Sequence, residues 1–101
     1  MHLIQILLPV HDDDGEAFSA HHYERLVHEL TERFGGVTSY MRAPAEGRWS
    51  QGGETEHDEI VVVEVMITEL DRAWWAALRD RLAEDFKQDE IVIRSQSMER
   101  L

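Results

Sequence analysis

The chain has 101 residues, which suits one domain with a single core and is too few for two. Its 21 acidic and 10 basic residues give a formal charge of -11, which repels a phosphate backbone and argues against nucleic acid as a partner. Cysteine is absent, so disulfides, thiolate nucleophiles and sulfur-ligated metals are excluded, and a cytoplasmic location is expected.

The first ten residues lack the basic flank and small-residue cleavage site of an export signal. No run approaches the roughly 18 apolar residues of a membrane span, so a soluble protein is expected. Leu3 to Val10 has the period of a strand, with Ile4, Ile6, Leu8 and Val10 on one side and Leu3, Gln5 and Leu7 on the other. Pro9 and the polar run His11-Asp12-Asp13-Asp14-Gly15 end it. Tyr23, Leu26, Val27, Leu30 and Phe34 then fall on one stripe of a helix predicted over Ser19 to Phe34, with Ser19 as N-cap and Gly35 as left-handed C-cap.

A second strand is predicted over Gly36 to Arg42, and Pro44 opens an irregular stretch, residues 44–59, that contains Arg48 and Trp49. A loop of this length in so small a domain points to function or to ordering by a partner. Ile60 to Ile67 is the clearest strand, with Val61, Val63, Val65 and Ile67 on one face and Ile60, Val62, Glu64 and Met66 on the other. Thr68 and Asp71 have the spacing of a capping box, and Trp75, Leu78, Leu82 and Phe86 mark a helix over Asp71 to Lys87. Ile91 to Arg94 closes the chain as a short strand.

Two strand-helix-strand units of this kind predict an α+β fold: a ferredoxin-like βαββαβ domain spanning residues 1–101. It has a four-stranded antiparallel sheet in order 4-1-3-2 and both helices on one face. The first and third strands are the central pair and are expected to run parallel. Two helices cannot cover both sides of one sheet. The opposite face, with Leu3, Leu7, Ile60, Val62 and Met66, is therefore expected to pack against a second copy, most simply in a homodimer.

Glu64 stands out because a mid-strand carboxylate between Val62 and Met66 must be paired, hydrated or protonated. Gln5 and Arg94 are predicted to share its face, with Tyr40 or Arg42 at its flank. As a ligand pocket this group would use Glu64 as base or acceptor and Arg94 as anion clamp. As a structural device, Glu64 and Arg94 would form an ion pair that sets register between copies. In the loop, Arg48 would pair an anion and Trp49 stack on a ligand, or Trp49 would plug the edge of the core; no complete phosphate-binding glycine motif is present.

Six histidines invite a metal argument. With parallel central strands, His11, Asp12 and Asp14 fall at the end of the sheet opposite His57, Asp58 and Glu59, whereas His2, His57 and Asp58 fall at one end. Solvated loop histidines are the simpler reading, and neither a metal nor a cofactor is assigned.

Phe34-Gly35-Gly36-Val37-Thr38, the loop Gly47 to Gly53 with its Trp, and Ile60-Val61-Val62-Val63-Glu64-Val65 together resemble small uncharacterised bacterial domains with a ferredoxin-like fold. More distantly the pattern looks like PII-like signalling proteins, a resemblance that implies a long loop contacting targets and a ligand between subunits. It is also similar to dimeric α/β-barrel proteins, among them cofactor-free monooxygenases and isomerases that use the sheet face as a pocket. The reading reached is an oligomeric domain binding a small ligand or protein partner in a regulatory or accessory role, or else a small cofactor-independent enzyme.

Overall fold

A computed structural model describes residues 1–42 and 59–101 and, of residues 39–42, the backbone. The elements in chain order are β1 (His2–Pro9), α1 (Ala20–Phe34), β2 (Thr38–Arg42), β3 (Ile60–Ile67), α2 (Arg72–Asp85) and β4 (Val92–Ser97). Together they make a small α+β domain with an antiparallel sheet whose strand order is β2-β3-β1-β4. β1 lies at its centre, with β3 along its whole length on one side and β4 on the other, and β2 adds to the far side of β3 over five residues.

The expected fold requires a correction in strand direction. β1 and β3 run antiparallel, from His2 opposite Ile67 to Pro9 opposite Ile60, and not parallel. The physical reason is the connectivity: a right-handed crossover through α1 sets β2 parallel to β1, and β3 turns back along β2. Every inference about which loops share an end of the sheet reverses with it. The closing strand is also longer than expected, Val92 to Ser97, and Ile91 precedes it as a buried residue.

Alternation on β1 and β3 sends Ile4, Ile6, Leu8, Val63, Val65 and Ile67 to the face that carries both helices. They meet Leu26 and Leu30 of α1 and Trp75, Leu78 and Leu82 of α2 in one core. Phe86, just past α2, is fully buried, and its ring sits edge-on to Phe18 with centroids 5.0 Å apart. Gly35 ends α1 at φ 84°, a left-handed conformation glycine adopts at low cost, and its N–H donates to Thr31 O.

The N-caps differ in kind. Ser19 occupies the cap position of α1 without a side-chain bond to the helix, and its Oγ lies 3.1 Å from His22 Nδ1 instead. The cap of α2 is Asp71, whose carboxylate accepts from the Trp74 N–H at 3.1 Å, so the capping role falls to Asp71 and not to Thr68.

Candidate functional site

On the face turned away from the helices, antiparallel register aligns side chains in rows across the strands. One row reads Arg94, Gln5, Glu64, Thr38 from β4 through β1 and β3 to β2. Its neighbours are Gln96, Leu3 and Met66 on one side and Val92, Leu7 and Val62 on the other. A polar line therefore crosses a mostly apolar field.

The line is hydrogen-bonded. Gln5 Nε2 donates to Glu64 Oε2 at 2.9 Å, and Arg94 Nε donates to Gln5 Oε1 at 2.8 Å. The two neighbours fix the orientation of the Gln5 amide, its NH₂ toward the carboxylate and its carbonyl toward the guanidinium. Glu64 and Gln5 are half-buried and Arg94 is exposed. The direct Glu64 to Arg94 ion pair weighed from sequence is absent because β1 lies between their strands, and Gln5 bridges the gap. Two strand spacings of about 4.8 Å separate the backbones of β3 and β4.

The surrounding apolar surface is smaller than expected. Val62 is already buried within the single chain and Leu3 and Leu7 are half-buried, while Met66 and Val92 stay exposed at 46% and 45%. Tyr40 takes the β2 register position opposite Val62, beside the polar line. Arg48 and Trp49 lie outside the described residues, as do His57 and Asp58 of the considered metal group.

Strand direction places the described part of that group, His2. His2 pairs with Ile67, at the end of β3 opposite Ile60. At the other end, Val10 N–H donates to Glu59 O, bringing His11 and Asp12 beside Glu59. Asp12 is occupied there as a turn-former: its Oδ1 accepts from the N–H groups of Asp14 and Glu16 at 2.9 Å each, and Gly15 completes the turn at φ 81°. Among the described residues no three His, Asp or Glu side chains converge as a metal site.

Sequence periodicity missed two features. Tyr23, placed on the helix stripe, donates its hydroxyl to Pro9 O at 2.6 Å, and burial raises its pKa above the ordinary value of 10.0. Arg33 stacks its guanidinium 4.3 Å from the Trp74 ring centroid, so Trp74 is covered at the helix edge while Phe34 stacks on Trp75.

No protein-family model and no curated protein matches the chain. Among solved structures it is similar to a phage SAM lyase in complex with S-methyl-5'-thioadenosine, with a TM-score of 0.58 and 18% sequence identity. The likeness covers 95% of this chain and 80% of that one, and at this identity it is a likeness of fold.

Proposed function

We propose that the open face of the sheet is a small-ligand site, with Glu64, Gln5 and Arg94 as its polar centre and Leu3, Leu7, Val62 and Met66 around it, serving a regulatory or accessory role. The observation that carries this reading is the Gln5 bridge, which holds a carboxylate and a guanidinium apart in fixed positions. A carboxylate in that position recognises a cationic or donor group and a guanidinium recognises a carboxylate. The ligand class that satisfies both is a zwitterion such as an α-amino acid or a molecule bearing one. Tyr40, beside the row in register, would border it. Met66 and Val92 mark where a second copy would close the site, which sedimentation equilibrium tests by its expected dimer.

A second reading, a small cofactor-independent enzyme, is favoured by the fold likeness to an enzyme that acts on S-adenosylmethionine. In it Glu64 would serve as general base and Arg94 would stabilise a developing negative charge. Calorimetric titration with S-adenosylmethionine, methionine and S-methyl-5'-thioadenosine tests the site. The two compounds with an α-amino acid group are expected to bind more tightly than the thioadenosine, which lacks one, and equal binding of all three would refute zwitterion recognition. Chromatography of the S-adenosylmethionine mixture separates the readings: unchanged ligand supports binding alone, and consumption abolished by Glu64→Gln supports the enzyme.

A further inference from the structure

A separate cleft of about 420 Å³ lies between α2 and the edge strand β4, on the helix side of the sheet. Arg72, Trp75, Ala76 and Arg79 line it from α2 at spacings of three, four and seven residues, which places them in one stripe. Ile93 and Ser95 line it from β4. Arg94 also borders it, although its Nε is committed to Gln5 on the other face.

The charge of this cleft runs against that of the whole molecule. The chain is strongly acidic, yet among the described residues this cleft is lined by Arg72 and Arg79 of α2 and by no acidic residue. Arg72 and Arg79 lie two helical turns apart, about 10 Å along the axis, on either side of Trp75 and Ala76. An anionic group seated over Ala76 is therefore approached by a guanidinium from each side. Arg79 also contacts Asp80 at 3.3 Å, but that pair is exposed and adjacent in sequence, so it holds Arg79 weakly. The half-buried Ala76 and Ile93 supply an apolar wall, and the volume lies within the range of small-molecule sites, roughly 300–1,000 Å³.

We propose that this cleft binds a small amphiphilic anion, an apolar body ending in a carboxylate or a phosphate. The body lies against Ala76 and Ile93, and the oxyanion is held by Arg72 and Arg79 with the Ser95 hydroxyl as a further donor. The site is distinct from the Glu64 row because it opens on the opposite side of the sheet and holds the oxyanion with Arg72, Arg79 and Ser95, none of which belongs to that row.

The test is titration of the ¹⁵N-labelled full chain, followed by amide shifts, with 3-phenylpropionate and phenyl phosphate as probes and inorganic phosphate and 3-phenylpropanol as controls. Saturable shifts centred on Leu70 to Arg79 and Ile93 to Ser95 are expected with either aryl anion, and the tighter of the two identifies the oxyanion. Affinity is expected to fall about tenfold or more in the Arg72→Gln, Arg79→Gln double variant, and to be retained in Glu64→Gln. Both arginines are exposed, so the double variant should fold; Ala76→Glu, which sets a carboxylate in the cleft, is the independent second variant and should also abolish binding. Equal binding of inorganic phosphate would remove the apolar subsite, and equal binding of the alcohol would remove the anion site. No saturable shift, or shifts unchanged in both variants, would overturn the proposal.

Discussion

Replacing Glu64 with Leu separates a carboxylate retained for binding from one retained for structure. Glu64 accepts a single described hydrogen bond, from Gln5 at 2.9 Å, in a half-buried position. A charge-assisted bond there contributes about 1–2 kcal/mol, at or below the buried range because solvent still reaches the pair. In return, Leu at this position adds a half-buried apolar side chain between Val62 and Met66, worth about 1 kcal/mol, half the value of full burial. The expected net change is within about 1 kcal/mol of zero, or a shift in Tm of no more than about 8 °C for a domain of this size. Urea unfolding followed by far-UV circular dichroism measures it, with the slope unchanged if the denatured state is unaffected. Were the row required by the fold, losing the carboxylate would cost about 3 kcal/mol, the upper end for a hydrogen bond to a charged group, with no gain from the new side chain. A loss of that size would refute the reasoning that Glu64 is dispensable for the fold.

Phe86→Ala should behave in the opposite way, because Phe86 is fully buried and packs against Phe18 and Tyr23. A loss of about 3–5 kcal/mol is expected from the same urea curves, and a loss below about 1.5 kcal/mol would mean the site collapses around the smaller residue. Tyr23→Phe removes the bond to Pro9 O and should cost about 1 kcal/mol near neutral pH. Its pH dependence has a definite sign. Burial raises the Tyr23 pKa, so the folded chain holds that proton more tightly than the unfolded chain. The resulting stability is full below the ordinary value of 10.0 and is lost as pH rises through the folded-state pKa. The wild type should therefore lose its advantage over the variant on going from about pH 8 to about pH 11, and an advantage that stays constant would contradict the buried hydroxyl.

The strands and helices were legible because alternation and the helical stripe each report one buried face. Ile4, Ile6, Leu8, Val63 and Val65 could hardly be assigned otherwise, nor could Leu26, Leu30, Leu78 and Leu82. The shared face of Gln5, Glu64 and Arg94 followed from the same alternation. Strand direction did not, because periodicity is identical whichever way a strand runs; it had to come from connectivity, and an error there moved His2 to the wrong end of β3.

Other details depend on distances that no local pattern encodes. The Gln5 bridge exists because β1 separates β3 from β4, so two charges that look like partners in sequence are held apart. Asp12 looked like a ligand among three aspartates, yet its carboxylate closes its own turn, a use that the Gly15 three positions later signals. The arginine stripe of α2 was hidden by the surrounding acidic composition, although the seven-residue spacing of Arg72 and Arg79 was visible throughout.

Amide shift mapping with S-adenosylmethionine tests in one titration whether the Gln5 bridge is a ligand site. The predicted result is a saturable change centred on Gln5, Glu64 and Arg94 that is lost in the folded Glu64→Leu variant. No saturable change, a change centred elsewhere, or binding that survives Glu64→Leu would contradict it.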